Sequence, residues 1–448
     1  MTAQTKLASI FNNHMVLQRE TEVAIWGNDK PNTVITIEGS WGHKAKTVTD
    51  NKGNWQTKIK TTSAGGPYSL KVVGSQKVVL EDILLGEVWL CSGQSNMEMP
   101  LKGFIGQPIN KSNESIMKSE NAQLRFFKVK RQTALSPQEN LAAGNWEISS
   151  RTTAADCSAV AYFYGKMLQE TLKIPVGLIT SSWGGTVAQA WMSPPSLRKD
   201  FPEFDLGALT QEKLNQNSPS ALYNGMIHPL VPFGIKGVIW YQGESNKSNP
   251  EQYAKLFPAL IANWREDFKQ GDFPFYFVQI APFVYSKKEN AAFLREAQLK
   301  TMQTTKNTGM AVTLDIGEEF SIHPAEKEKV GERLAYWALA KTYGMSGIEF
   351  SGPVYKSMEV NGNKATLSFD YTPLGVFSKN PQDFEIAAED KIFYPATVKI
   401  TKGKLEVWND TVAKPVAVRY AWKNFVEGSL FNTAGFPASS FRTDNWEK

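Results

Sequence analysis

The sequence predicts an α/β protein with a parallel sheet flanked by helices, and with β-sandwich-like segments at its N- and C-terminal ends. Three observations predict this class. Short runs rich in Val, Ile and Thr fill residues 6–82, strands and helices alternate over 83–345, and β patterns return over 346–448. A chain of 448 residues with 42% hydrophobic content can bury more than one core. We therefore predict three domains with these bounds.

The N-terminal domain contains short β-rich runs that are separated by clusters of Gly, Asn, Asp and Pro. Strands at such regular spacing, with a turn after each, are typical of a β-sandwich. The predicted strands are EVAIWG, TVITIEG, KAKTVTD, WQTKIKT, YSLKVVG and KVVLEDI.

The middle domain alternates apolar strands with amphipathic helices. This alternation indicates a mostly parallel sheet that is covered on both faces. The predicted strands are ILLGEVWLC, PVGLITSSW, IKGVIWYQG, PFYFVQIAP and MAVTLDIG. The predicted helices are SAVAYFYGKMLQETL, PEQYAKLFPALIANWREDF, AFLREAQLKTMQ and PAEKEKVGERLAYWALAKTYG, the last of which ends at Gly344.

The C-terminal domain returns to β patterns. Its Asn361-Gly362 pair is a strong indication of a hairpin, because both residues tolerate the positive φ of a two-residue turn. The predicted strand regions are MEVNGNKATLSFD, FEIAAEDKIFYPATVKI, KLEVWND and PVAVRYAW.

Composition argues against several kinds of partner. The 49 Lys and Arg residues nearly balance 44 Asp and Glu, and no basic tail is present, so we predict no nucleic-acid partner. We also predict no membrane span, because Glu81, Asp82 and Glu87 interrupt the longest apolar stretch. The first residues lack the pattern of a signal peptide, which indicates a cytoplasmic protein or a chain whose signal has been removed. Cys91 and Cys157 are expected to be free and buried.

Polar residues follow four of the predicted strands. Ligands bind at the carboxyl ends of strands in open α/β sheets, so these residues are expected to share one edge. They are Ser95 in GQSNM, Gly184 and Gly185 in SSWGGT, Gln242 and Glu244 in WYQGESN, and Asp315 and His323 in DIGEEFSIHP.

These residue types match the requirements of ester hydrolysis by a serine. The reaction needs a nucleophilic hydroxyl, a base within hydrogen-bond reach, and donors aimed at the developing oxyanion. Each residue alone has a plainer interpretation, with Ser95 as a turn residue and His323 as a helix cap, and only their joint placement favours catalysis. The pattern G-x-S-x-G is absent because position 97 is Met. The four His residues form no metal-binding motif, so we predict neither metal nor cofactor.

At these positions the sequence resembles the sialate O-acetylesterases of the SGNH-hydrolase superfamily. The resemblance implies an SGNH-hydrolase-like fold and the removal of acetyl groups from sialic acids or related acetylated sugars. It also implies a periplasmic or secreted location. The motifs that carry it are FNNHMVLQRE, GEVWLCSGQSNMEMPL, GLITSSWGGTVAQAWMS, LYNGMIHPLVPFGIKGVIWYQGESN, IHPAEKEKVGERLA and FNTAGFPASSFRTDNW.

The resemblance implies roles for the nucleophile, the base and the oxyanion hole, and the substrate-binding residues are a further expectation. Ser95 is the expected nucleophile and His323 the expected base. The expected oxyanion hole is formed by Ser95, Gly184, Gly185 and Gln242. The expected substrate-binding residues are Gln94, Asn96, Glu244, Asn224 and His228.

One departure from the superfamily pattern concerns the group that orients His323. Many members carry Asp three residues before the catalytic His, and here that residue is Phe320. A backbone carbonyl or water is an alternative to the nearby carboxylates, and a Ser–His dyad is a further alternative. Among the carboxylates Asp315 is slightly favoured over Glu318, Glu319 and Glu244.

Alternative functions stay open at this level. A carbohydrate acetylesterase of the acetylxylan type would use the same machinery. A glycoside hydrolase would use carboxylates such as Glu244. A non-catalytic glycan-binding protein would fit the flanking β domains and the 13 Trp residues.

Overall fold

A computed structural model describes residues 4–286 and 288–446 of the chain. The chain divides into two compact units. The first comprises Met1–Gln242 with Pro258–Phe275, and the second comprises Gly243–Phe257 with Tyr276–Lys448. The predicted fold class is confirmed, since an α/β sheet with helices is accompanied by further β segments.

The N-terminal residues form mainly antiparallel strands, as predicted from their spacing. The strands are β1 Lys6–Leu7, β2 Val16–Gln18, β3 Glu22–Asn28, β4 Val34–Gly39, β5 His43–Val48, β6 Asn54–Lys60, β7 Gly65–Val73 and β8 Lys77–Gly93. One sheet has the order β1-β3-β6, while β4 pairs with β5 and β7, and β7 pairs with β8. Ile35 and Ile37 of β4 are buried while their neighbours are more exposed, because one face of this sheet covers a core.

The sheet of the first unit is built around β8. Its other strands are β9 Asn121–Lys128, β10 Trp146–Ser149, β11 Val176–Ser182 and β12 Gly237–Tyr241. The order is β10-β9-β11-β8-β12, in which β10 is the antiparallel edge strand and the others run parallel. This agrees with the prediction of a mostly parallel sheet.

Strand β8 is one continuous element of 17 residues, whereas we predicted two strands that meet near residue 83. Up to Asp82 its residues are exposed or half-buried, and from Ile83 to Gly93 every residue is buried. The change arises because the second half has parallel strands on both sides. A single strand therefore crosses the predicted boundary between the first two domains.

The first unit contains the helices α1 Ser95–Glu98, α2 Ser112–Met117, α3 Arg151–Asp156, α4 Ala159–Leu172 and α5 Pro194–Asp200. Of these, α1, α3 and α4 contact strands of the sheet built around β8. Helix α4 confirms its prediction: the Ser158 hydroxyl accepts from the Ala161 N–H at 3.2 Å, and Lys173 ends the helix at φ +56°. Cys91 and Cys157 are free and buried, as expected.

The second unit contributes most of the remaining elements. Helix α6 Pro250–Phe268, which begins in this unit, has the predicted bounds. The elements that follow are β13 Phe275–Val278, α7 Ala292–Thr304, β14 Thr308–Ala311, α8 Lys327–Trp337 and a π-helical turn, Ala338–Thr342. Gly344 adopts φ +69° just beyond this turn, where the sequence predicted the helix to end.

Strand β14 is shorter than predicted. We expected it to extend through the DIG motif, but it ends at Ala311. Beyond Ala311, the Thr313 hydroxyl donates a hydrogen bond to the Gln279 carbonyl at 2.8 Å. The Ile316 N–H donates to the Thr313 carbonyl. Asp315 therefore lies in a turn and not at the end of a strand.

The C-terminal residues form the strands β15 Val354–Asn361, β16 Lys364–Asp370, β17 Val376–Phe377, β18 Phe384–Ala387, β19 Phe393–Pro395, β20 Thr397–Thr401, β21 Lys404–Trp408, β22 Ala417–Tyr420, β23 Phe431–Asn432 and β24 Phe441–Arg442. These strands build three small antiparallel sheets, with the orders β15-β16-β21-β20, β19-β18-β22-β24 and β17-β23. A hairpin forms as predicted, but its two turn residues are Gly362, at φ +62°, and Asn363, because Asn361 still pairs with Lys364. No helix among residues 4–286 and 288–446 has the length and apolar character that crossing a bilayer requires.

Candidate active site

Three parallel strands of the first unit end at the same level. Gly93 of β8 pairs with Ser182 of β11 on one side and with Tyr241 of β12 on the other. The residues that follow these strands therefore share one edge of the sheet. In this way the fold brings together Ser95, the Gly184–Gly185 turn and Gln242, which are four of the predicted site residues.

The turn before Ser95 requires glycine at position 93. Gly93 adopts φ +139°, and a Cβ atom there would lie 2.1 Å from the Tyr241 carbonyl oxygen. The backbone then turns directly into α1, whose first residue is Ser95. Ser95 is half-buried between buried neighbours. Within the described part of the first unit, neither its N–H nor its hydroxyl donates to another residue, so both can face a substrate.

The second strand end places a glycine turn against Ser95. A Cβ atom on Gly184 would lie 3.2 Å from the Ser95 Cβ, so the absence of a side chain keeps this approach open. The Gly184 N–H, however, donates to the Glu98 carboxylate at 2.8 Å. Gly185 is exposed at φ +72°, and its N–H has no acceptor within the described part of this unit. Of the two predicted glycine donors, Gly185 is thus the one that remains available.

Gln242 follows β12 and is fully buried. Its side-chain amide donates to the Thr186 carbonyl at 3.1 Å, which connects the third strand end to the glycine turn. An amide held in this way can present a donor from a fixed position.

Glu98 and Arg131 are the residues at this edge that the sequence analysis missed. The Glu98 carboxylate accepts from the Gly184 N–H and also pairs with the Arg131 guanidinium. That guanidinium lies over the Trp183 ring, 5.3 Å from its centroid. The one feature of the sequence that could have placed Glu98 at this site is its spacing: it follows Ser95 by three residues, and residues three apart on a helix are neighbours.

The remaining substrate-binding candidates of this unit are largely enclosed. Gln94 and Asn96 are buried on either side of Ser95. Asn224, in the π-helical turn Tyr223–Ile227, is 2% exposed and donates its side-chain amide to the Ala134 carbonyl at 3.0 Å. The half-buried His228 has its Nδ1 atom 2.9 Å from the Gln138 carbonyl oxygen. Asn224 and His228 thus hold the segment 129–138, which carries Arg131.

His323 lies in the second unit, in a short loop before α8. The sequence predicted His323 to lie at the start of this helix. The helix instead begins at Lys327, four residues after His323. The Ser321 hydroxyl donates to the His323 carbonyl at 3.2 Å. The Ala325 N–H donates to the Glu318 carboxylate at 2.7 Å, so this carboxylate supports the backbone around His323.

Asp315, the favoured orienting acid, is engaged in an ion pair. Both of its carboxylate oxygens accept from the Arg333 guanidinium at 2.7 Å. Arg333 also donates to the Val312 carbonyl, so the pair fastens α8 to the chain after β14. Such a bidentate pair is a structural reason for an Asp at this position that is independent of His323. Phe320 is 84% exposed on the same loop.

Burial shifts the proton affinities of His323 and of Lys327, the first residue of α8. Burial, together with the positive charge of Lys327, lowers the pKa of the His323 imidazole to about 4. Lys327 is fully buried, and this burial, partly offset by the negative charges of Glu244 and Glu318, lowers the pKa of its ammonium group to about 7. Glu244 is itself buried. His323 is therefore neutral near pH 7, which is the state that a general base requires.

The described residues include no group of three or more His, Cys, Asp or Glu side chains that is placed to hold a metal ion.

Known proteins resemble this chain over most of its length. A family model described as a carbohydrate esterase, sialic acid-specific acetylesterase, matches residues 85–340. The sialate O-acetylesterases of Pongo abelii and Homo sapiens are both 33% identical to the chain, covering 93% of it and 87% of each relative. The crystal structure of a carbohydrate acetylesterase from Xanthomonas citri is 37% identical, covers 98% of this chain and 100% of its own, and superposes with a TM-score of 0.90.

Proposed function

The chain belongs to the sialic acid-specific acetylesterase family of carbohydrate esterases, and from this premise we propose that it removes O-acetyl groups from sialic acids. Esterase activity follows from the membership itself. The proposal goes further in naming the sugar and the catalytic groups. The observation that carries it is the placement of Ser95 on the turn after β8, with Gly184 against it.

In the proposed reaction, Ser95 attacks the acetyl carbonyl while His323 takes the proton from the serine hydroxyl. The negative charge on the carbonyl oxygen is stabilised by the N–H groups of Ser95 and Gly185 and by the Gln242 amide. Gly184 joins this group only if Glu98 releases its N–H. His323 then returns the proton to the sugar oxygen, the deacetylated sugar leaves, and water hydrolyses the acetyl-enzyme by the same steps.

The group that orients His323 in this proposal is a backbone carbonyl or a water molecule. Asp315 is satisfied by Arg333, and Glu318 by the Ala325 N–H. Each carboxylate would have to give up a hydrogen bond to serve His323. The family resemblance also leads us to propose a periplasmic or secreted location, where O-acetylated glycans are encountered.

A second candidate function is the deacetylation of other sugars. The Xanthomonas citri relative, which covers nearly the whole chain, carries the broader description of a carbohydrate acetylesterase. The catalytic groups would be the same, and only the sugar-binding surface would differ.

Acetate release from a substrate panel distinguishes these two functions. The panel contains O-acetylated sialic acid, acetylated xylo-oligosaccharides and a small neutral acetyl ester. We expect the highest kcat/KM for the sialic acid, and the small ester reports the catalytic groups alone. A higher kcat/KM for the xylo-oligosaccharides would contradict the proposed sugar specificity while supporting the second function.

The low pKa of His323 predicts an unusual pH profile. The base must be neutral to accept the serine proton, and a histidine whose pKa is lowered to about 4 stays neutral as the pH falls through the range where a free imidazole, with a pKa of about 6.5, becomes charged. We expect the acid limb of kcat/KM on the small ester to have its midpoint near pH 4. Circular dichroism at each pH checks that the fold persists, and a midpoint near 6.5 in folded protein would contradict the assignment.

A further inference from the structure

Arg131 lies at the same edge of the sheet as Ser95, and half of its side chain is exposed. It follows β9, whose last residue, Lys128, pairs with Thr180 of β11, and the Val129 N–H extends this pairing to the Thr180 carbonyl. The contacts of Glu98 connect Arg131 to the candidate site: a Cβ atom on Gly184 would lie 3.2 Å from both the Glu98 carboxylate and the Ser95 Cβ.

The position of this guanidinium is fixed by two neighbouring groups. One of its terminal nitrogens pairs with Glu98, its Cζ atom lies over the Trp183 ring, and its side chain is nevertheless 50% exposed. The segment that carries it is held in turn by the Asn224 amide through the Ala134 carbonyl. An exposed arginine that is held in this way loses little side-chain entropy when it binds a ligand.

Arg131 also retains unused hydrogen-bond donors. A guanidinium has five N–H groups, and Glu98 is its one hydrogen-bonded protein partner within the described part of the chain. Planar N–H pairs of this kind match the two oxygens of a carboxylate. Glu98 therefore leaves donors free for a second anion.

The local charge favours an anionic ligand over a neutral one. Lys128 and Lys130 are exposed and flank the same strand end, so three cations occur within four residues. Glu98 offsets only one of these charges. A sugar that carries a carboxylate would therefore be attracted to this edge, whereas a neutral sugar would gain nothing from it.

We propose that Arg131 binds the carboxylate of an acidic sugar whose acetyl ester is presented to Ser95. This inference rests on the proposed function and deepens it, because it names the residue that separates acidic from neutral sugars. Sialic acids and uronic acids both carry such a carboxylate.

A matched pair of substrates tests the inference: an O-acetylated sialic acid, and the same compound with its C1 carboxylate converted to the uncharged amide. The readout is the ratio of kcat/KM for the acid to kcat/KM for the amide, measured by acetate release. We expect a ratio of about 10 to 100 for the unmodified enzyme, the range that one charge-assisted pair typically contributes. Arg131→Gln should bring this ratio close to one.

The matched control is Lys130→Gln, which removes an equal charge from the adjacent exposed residue but no proposed hydrogen bond to the carboxylate, and should therefore lower the ratio by no more than about threefold. If Arg131 serves only to hold Glu98, Arg131→Gln and Glu98→Gln will change the kcat/KM of both substrates equally, and the inference is overturned. Equal hydrolysis of acid and amide by the unmodified enzyme overturns it while leaving the proposed function intact.

Failure of the proposed function itself gives a different result. Hydrolysis of neutral acetylated sugars with no turnover of any acidic sugar overturns both proposals. An O-acetylated uronic acid with its own amide forms a second arm. A ratio that depends on Arg131 in this arm alone supports the carboxylate contact and assigns it to uronic acids.

Discussion

Replacing Ser95 with alanine is expected to lower kcat/KM for acetyl esters by about 10⁴- to 10⁶-fold while the protein remains folded. The loss is large because the hydroxyl is the group that would form the acetyl-enzyme, and no other group can replace it as the nucleophile. The fold should persist because Ser95 is the first residue of α1, where alanine is well tolerated, and its hydroxyl donates to no other group within the described part of the first unit. The measurements are acetate release and the thermal unfolding midpoint.

Ser92→Ala provides the matched control for Ser95→Ala. Ser92 is fully buried, and its hydroxyl donates to the Ser181 carbonyl at 2.5 Å. Its removal should lower the free energy of unfolding by roughly 1 kcal/mol and leave kcat/KM within about threefold. Similar losses of activity in the two variants would indicate that any lost hydroxyl at this strand end disrupts the turn, and comparable turnover by a folded Ser95→Ala protein would exclude Ser95 as the nucleophile.

The strand ends of the first unit could be predicted from the sequence because their determinants are local. A buried parallel strand is a continuous apolar run, and residues such as Gly93 and Ser95 interrupt that run abruptly. Parallel pairing then aligns the carboxyl ends of the strands. The positions of Gly184 and Gln242 at the same edge as Ser95 can therefore be predicted from the strands alone.

The contacts of Glu98 and Arg131 could not be predicted in the same way. The two residues are 33 positions apart, and nothing in the composition of the 129–138 segment indicates that it folds back on the π-helical turn at Asn224. The pairing of Asp315 with Arg333 was missed for a related reason. Apolar residues through Ile316 resemble a strand, but long-range hydrogen bonds such as that of Thr313 replace the strand pairing.

Removal of the imidazole in His323→Ala is expected to lower kcat/KM by about 10³-fold or more, because the serine hydroxyl would lose its general base. The half-buried side chain contributes some packing, so His323→Gln is the companion variant that retains a polar group of similar size. Asp315→Asn is the control for the same region. It breaks the ion pair with Arg333, so it should clearly lower the free energy of unfolding and only mildly lower kcat/KM. A loss of activity in Asp315→Asn as large as that in His323→Ala would establish a triad.

The double variant Ser95→Ala/His323→Ala then tests whether the two residues act as one unit. If His323 works only by taking the Ser95 proton, its removal costs nothing once the hydroxyl is gone. The double variant should therefore be no less active than Ser95→Ala alone. If the two residues acted independently, their separate losses of kcat/KM would instead multiply. Multiplying losses would mean that His323 contributes through binding or stability, and the assignment of a general base would have to move to another residue.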